Sequence, residues 1–233
     1  KDTKLHTVCI GAEPHSEEQR KRIEQLLGVK AYNCFGMSEM NGPGVAFECT
    51  EQNGLHIWED NVIVEIVDPV TLQPVPEGEV GELVLTTINR EAMPLLRYRT
   101  RDLTCILPGD CPCGRTHKRL ARFKGRSDDM IILKGVNLFP IQIEKILMQF
   151  KELGSNYLIT LETIGNSDEM LIEVELSDLF TDDYSALQRL TKGITRQLKD
   201  ELLLTPRIKL VAKGSLPTTD GKAVRVKDHR KLC

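Results

Sequence analysis

The chain has 233 residues, 40% of them hydrophobic, enough to bury the core of one large or two modest domains. Its 31 basic and 34 acidic residues leave a formal net charge of -3, so no global field draws it to nucleic acid or an anionic membrane, and any polyanion site is local. No apolar run nears the roughly 18 to 20 residues that span a bilayer, and KDTKLHTVCI at the N-terminus has no signal-peptide core, which reads as a cytoplasmic protein.

In chain order, Thr7-Val8-Cys9-Ile10 followed by Gly11-Ala12-Glu13-Pro14 is expected to form a short buried strand ending in a turn. Ser16 begins an N-cap with early acids, and Ile23, Leu26 and Leu27 recur at helical spacing up to Gly28. A strand over Val29 to Asn33 would complete a βαβ piece of a parallel sheet. From His56 to about Asp102 the pattern turns to alternating strands at Val62 to Ile66, Val80 to Thr87 and Leu95 to Thr100. Turn chemistry at Asp68-Pro69 and Pro76-Glu77-Gly78 separates them, as in an antiparallel β subdomain. Beyond Gly125 the pattern mixes α and β. Helices are expected over about Pro140 to Phe150 and Asp183 to Leu203, and strands near Met130 to Leu133, Tyr157 to Glu162, Leu171 to Leu176 and Arg207 to Val211. The expected division is into residues 1–125 and 126–233. The chain opens at Lys1 in what reads as the middle of a folded unit, so it is expected to be a fragment.

Three motifs carry polar chemistry. Tyr32-Asn33-Cys34-Phe35-Gly36-Met37-Ser38-Glu39 ends a parallel strand with an aromatic face for a base, a hydroxyl for phosphate and a carboxylate for Mg²⁺. Arg97-Tyr98-Arg99-Thr100-Arg101-Asp102 places an acid at a strand end, where it can accept the two hydroxyls of a ribose. Leu216-Pro217-Thr218-Thr219-Asp220-Gly221-Lys222 presents a lysine past a glycine turn, a compact cation for a phosphate or carboxylate. Each alone is matched by a plainer reading: a strand-to-loop turn, a salt-bridged strand, a surface lysine.

Seven cysteines, an odd number without a dense framework, suggest metal rather than disulfides. Cys111-Pro-Cys113 is a tight pair, and Cys49 with His56 could complete the four thiolate or imidazole ligands of structural Zn²⁺. A rival set within one loop is Cys105, Cys111, Cys113 and His117, and buried reduced cysteines are the plain alternative.

Taken in order, Gly11-Ala12-Glu13, Tyr32 to Glu39, Gly78 to Leu83, Tyr98 to Asp102, Gly125-Arg126-Ser127-Asp128 and Gly221-Lys222 resemble the core motifs of the adenylate-forming acyl- and aryl-CoA synthetases. Gly54 to Asp60, Glu91 to Leu95 and Cys111 to Arg115 look similar to the phenylacetate-CoA ligase branch. The fold class this implies is α/β and α+β. It comprises the C-terminal part of a large adenylate-forming domain, a βαβ piece plus the β subdomain, and then a small mobile α+β domain.

The resemblance implies an enzyme that takes an aryl acid, phenylacetate first, with ATP, Mg²⁺ and coenzyme A. Gly11, Ala12, Glu13, Pro14, Tyr32, Asn33, Phe35 and Gly36 would line the adenine and acyl pocket. Ser38 would sit by the phosphates, Glu39 would hold Mg²⁺, and Asp102 with Arg126 would meet the ribose. Lys222 would bridge the acid's carboxylate and the α-phosphate. Asp128 would be the hinge on which the small domain turns to bring Lys134, Gly135 and Val136 to CoA. The branch looks similar at Cys49, His56, Cys111 and Cys113, which favours that zinc set over its rival. The family's Gly/Ser/Thr-rich phosphate loop is absent from this sequence, so the isolated chain is expected to adenylate poorly. A ligase for another aromatic acid and a non-catalytic nucleotide-binding fragment are the alternatives. The oligomeric state is open, a homodimer included.

Overall fold

The computed structural model describes residues 4–40, 42–178, 183–217 and 223–230. They form two compact units: residues up to Pro14 with Arg20–Asp129, and His15–Gln19 with the residues from Met130 onward. Among the described residues no helix is long and apolar enough to cross a membrane.

The chain opens with β1 (Thr7–Ile10), α1 (Glu17–Leu27, in the first unit from Arg20 on) and β2 (Lys30–Met37), and β1 pairs parallel with β2 from Thr7↔Lys30 to Ile10↔Asn33. The Ser16 hydroxyl accepts the Gln19 amide at 3.2 Å, satisfying one of the orphan donors at the helix start. The expected βαβ piece is present, but β1 is not buried. It pairs only with β2, and Leu26 and Leu27 are exposed because no described residue covers that stretch of α1.

A single 3₁₀ turn, Ser38–Met40, leads to β3 (Gly42–Glu48) and β4 (Leu55–Ile57), which were not expected. Gly42-Pro43-Gly44 reads locally as a turn, yet β3 pairs antiparallel with β2 through Cys34↔Phe47. Next come β5 (Val62–Val67), β6 (Gly81–Thr87), β7 (Tyr98–Thr104), β8 (Ile106–Leu107), β9 (Arg119–Leu120) and β10 (Gly125–Arg126). One sheet runs β1-β2-β3-β4-β9-β8, and a second runs β10-β7-β6-β5. The second is the antiparallel subdomain read from the sequence. β7 begins three residues later than expected, because Leu95 and Arg97 first donate their amides to the Thr87 and Thr86 hydroxyls across the end of β6. Gly81 is required where β5 and β6 meet, since a Cβ there would lie 2.4 Å from the Val67 carbonyl oxygen. The core gathers Val45, Leu55, Ile57, Leu83, Leu85 and Leu120.

The second unit holds β11 (Ile131–Leu133), β12 (Val136–Leu138), α2 (Pro140–Leu147), β13 (Leu153–Ile164), β14 (Ser167–Leu176), α3 (Tyr184–Leu202), β15 (Arg207–Val211) and β16 (Val226–Asp228). β11 and β12 are joined by Lys134-Gly135, with φ of +50° and +81°, the two-residue hairpin loop that suits right-handed strand twist. Pro140 opens α2 where its missing N–H costs nothing, and the helix stops at Leu147, short of the expected Phe150. Asp183 caps α3 by accepting the Ser185 amide at 3.0 Å, and Leu190, Ile194 and Leu198 recur every four residues to bury one stripe. The sheet order is β15-β14-β13-β16, with the unexpected β16 parallel to β13.

Candidate active site and thiol cluster

The loop after β1 lies against β2 so closely that a Cβ on Gly11 would sit 2.5 Å from the Cys34 carbonyl oxygen. Ala12 follows with φ of +70°, a left-handed bend that carries the chain through Glu13 and Pro14. On β2, Tyr32 is half-buried and Asn33 is buried, its amide donating to the Glu48 carboxylate at 2.7 Å. Phe35 packs on Phe123 with ring centroids 4.5 Å apart, and Gly36 precedes the turn that sets Ser38 in solvent and Glu39 half-buried.

Asp102 is aimed by an irregularity in β7, where Arg101 takes φ of +69° and the register with β6 slips between Glu82 and Val84. The Asp102 amide donates to the Thr100 hydroxyl at 3.1 Å. Arg126, opposite Asp102 in the β7–β10 pairing, places Nη1 3.9 Å from the Asp102 carboxylate and 3.2 Å from the Thr100 carbonyl. Asp102 and Arg126 are thus neighbours. Arg126 also grips Asp128 with two parallel bonds of 2.9 Å, Nε to Oδ1 and Nη2 to Oδ2. Asp128 is exposed, and the Arg126 hydrogen bond holds its carboxyl below the usual carboxylate range. β10 also carries the first unit on to Asp129, past the Arg126 start expected for the second domain.

Two residues of this region lie in motifs singled out in the sequence but were given no role there. Tyr98 donates its hydroxyl to Glu39 Oε1 at 3.3 Å, and Glu82 is fully buried under Arg99, which binds it through Nε at 2.8 Å and Nη2 at 2.7 Å. Burial raises the Glu82 pKa, but the Arg99 hydrogen bonds, with Arg101 and Ser127, outweigh it, and the carboxyl stays below its ordinary value. That stabilisation is present above the pKa of an unfolded glutamate and is lost as pH falls through the lower folded value. Glu82→Ala is expected to cost about 1.5–3 kcal/mol, since it removes charge-assisted hydrogen bonds from the part-exposed Arg99 to a buried carboxylate. Denaturant unfolding checks this, and a loss under about 1 kcal/mol would contradict it.

In the second unit, Lys134 binds Glu169 at 2.8 Å from the β11–β12 turn, beside Gly135 and half-buried Val136. Lys222 lies outside the described residues.

Cys49, His56, Cys111 and Cys113 bring their ligand atoms within 4.8 Å of one another. Register does this: His56 of β4, an inner strand of the sheet, pairs with Phe47 of β3 and Arg119 of β9, and so lies between the segments that carry Cys49 and the Cys111–Cys113 pair. Cys49 Sγ is 3.6 Å from Cys111 Sγ, and Cys113 Sγ is 3.4 Å from His56 Nε2. Bond lengths of about 2.3 Å to sulfur and 2.0–2.1 Å to nitrogen put tetrahedral ligands about 3.5–3.8 Å apart, close to these separations. His56 Nδ1 lies 3.3 Å from the His117 carbonyl; donating its proton there leaves Nε2 a lone pair facing the thiols. Burial pulls the His56 pKa down, so the ring is neutral and ready to ligate. The Arg115 backbone N–H holds the Cys113 thiol at about 7, while burial pushes Cys49 up to about 11. Three thiols and a neutral imidazole nitrogen are the donor types that zinc takes. The donor chemistry therefore fits a zinc ion, and Cys105 and His117 of the rival set are not among its ligand atoms.

Two family models match the chain: one described as AMP-binding enzyme over residues 1–89, the other as AMP-binding enzyme C-terminal domain over residues 135–230. The fold and the site define the class: the chain belongs to the AMP-binding, adenylate-forming enzymes. The phenylacetate-coenzyme A ligase of Thermus thermophilus is 43% identical over 97% of this chain and 54% of its own length. That of Escherichia coli is 41% identical over 98% of this chain and 52% of its own. The crystal structure of 2-hydroxyisobutyryl-CoA ligase in complex with 2-HIB-AMP is similar with a TM-score of 0.86 and 31% identity, over 94% of this chain and 48% of that one. Within the superfamily the chain falls in the phenylacetate-CoA ligase branch. It spans about half the length of the curated relatives it matches.

Proposed function

We propose that the protein to which this chain belongs is a cytoplasmic, AMP-forming ligase that joins phenylacetate to coenzyme A. The observation that carries this is the contact of Glu39, just past β2, with Tyr98 at the start of β7, and of Arg126 on β10 with Asp102, which lies inside β7 rather than at the strand end expected, in a chain 43% identical to a phenylacetate-coenzyme A ligase.

An acid carboxylate oxygen attacks the α-phosphorus of ATP, the bond to the bridging oxygen breaks, and pyrophosphate leaves. The CoA thiol then attacks the acyl carbonyl, loses its proton, and expels AMP. In the first step Asp102 accepts the ribose hydroxyls, with Arg126 released from Asp128 to face the nucleotide. Tyr32, Asn33, Phe35 and Gly36, with Gly11 to Pro14, line the pocket for the base and the acyl group, and Ser38 meets the phosphates. Glu39 would hold Mg²⁺, which when bound would supply charge neutralisation for the departing pyrophosphate. Lys222 supplies a fixed cation to the carboxylate and the α-phosphate. Asp128 is the pivot, because freeing it from Arg126 needs only a local backbone change. Lys134, Gly135 and Val136 then serve CoA, the turn leaving the backbone clear for a ligand. Zinc held by Cys49, His56, Cys111 and Cys113 is structural, since four protein donors leave no open position.

The test is a panel of acids with ATP and CoA on the full-length protein. Phenylacetate is expected to give the highest kcat/KM for thioester formation. Preference for a benzoate or for 2-hydroxyisobutyrate would contradict the substrate, and no thioester from any acid would contradict the ligase.

A further inference from the structure

We infer that Tyr98 is the positioning residue for the metal-binding carboxylate of Glu39. This rests on the proposed role of Glu39.

Glu39 sits in the short 3₁₀ turn after β2, a place where a long side chain has several rotamers open to it. Two contacts hold it. Arg90 Nη1 donates to the Glu39 backbone carbonyl and pins the turn. The Tyr98 hydroxyl donates to Oε1 at 3.3 Å and pins the carboxylate. A carboxylate accepts only, so one phenol proton engages one oxygen and orients the other. The second oxygen, Oε2, accepts no hydrogen bond from a described residue.

The phenol is itself fixed. Tyr98 is the first residue of β7, opposite Leu85 in the register, and its ring packs against the core of the first unit. A phenol, with an ordinary pKa of about 10, is a proton donor through the physiological range. Asp102 lies on the same strand, four residues on, with Arg126 opposite it in the register. A hydrogen bond that orients a ligating carboxylate is worth about 10–100-fold in metal affinity when removed. Tyr98→Phe deletes that bond and keeps the ring.

The experiment measures Mn²⁺ binding by water-proton relaxation enhancement in the full-length protein with α,β-methylene ATP, which cannot lose pyrophosphate. The same proteins are assayed for the Mg²⁺ concentration giving half-maximal acid-dependent pyrophosphate release from ATP. Tyr98→Phe is expected to weaken Mn²⁺ binding about 10-fold, to raise half-saturation by Mg²⁺ by a similar factor, and to lower kcat at saturating Mg²⁺ by less. Glu39→Gln is expected to weaken Mn²⁺ binding at least as much. Wild-type Mn²⁺ binding in Tyr98→Phe beside weakened binding in Glu39→Gln overturns the role of Tyr98 alone. Wild-type binding in Glu39→Gln overturns the role of Glu39 and, with it, this inference. A fall in kcat and thermal stability with unchanged metal dependence makes Tyr98 a packing residue and also overturns it.

Discussion

Lys222→Ala in the full-length protein is expected to slow adenylation by about 10²–10³-fold, the cost of removing one preorganised donor from a site where negative charge develops. The charge in question moves onto the departing pyrophosphate, and a lysine ammonium is compact enough to face both the acid's carboxylate and the α-phosphate. In the sequence Lys222 directly follows a glycine, a few residues after Pro217. Thioester formation from preformed phenylacetyl-adenylate and CoA is expected to keep its rate, because the cation serves only the first half-reaction. Both half-reactions are followed in one protein, by pyrophosphate release and by thioester formation. Equal loss of both would contradict this assignment.

The second large effect concerns the thiol cluster. The purified full-length protein is expected to hold about one zinc per chain, and Cys111→Ser to weaken its binding by more than about 100-fold, since even an outer hydrogen bond to a ligand is worth 10–100-fold. Zinc binding is folding free energy where the apo site is unstable, so the same variant is expected to unfold at a markedly lower temperature. The consequence is specific, because Cys49 follows β3, His56 lies in β4 and the two remaining ligands precede β9. Losing the ion frees the connections around three strands of one sheet. Cys105→Ser is expected to keep zinc. Elemental analysis with thermal unfolding decides it, and zinc retained at full stoichiometry in Cys49→Ser would contradict the set.

The parts of the fold legible in the sequence were those written in local pattern. The cap at Ser16, the period-two run Val62 to Ile66 and the stripe Leu190, Ile194 and Leu198 each carry their own signal. β3 was hidden because Gly42-Pro43-Gly44 reads as a turn, and only its pairing with β2 makes it a strand. β9 and β10 are two residues each, too short for any period to show. The zinc ligands were legible as residue types, but two sets remained open on spacing alone. The register His56↔Arg119 separates them, and no local window contains it. Arg126 and Asp102 were both read as site residues. Their adjacency comes from the β7–β10 pairing, and the hold of Arg126 on Asp128 is a side-chain choice that spacing cannot reveal. Tyr98 and Glu39 are 59 positions apart, so their hydrogen bond is a property of the fold rather than of either motif.

Adenylation followed by transfer to CoA fixes the stoichiometry of the products. The full-length protein, given phenylacetate, ATP, Mg²⁺ and CoA, is predicted to form one AMP and one pyrophosphate for each phenylacetyl-CoA, with none of the three when the acid is left out. Formation of ADP and phosphate, or nucleotide cleavage independent of the acid, would contradict the account.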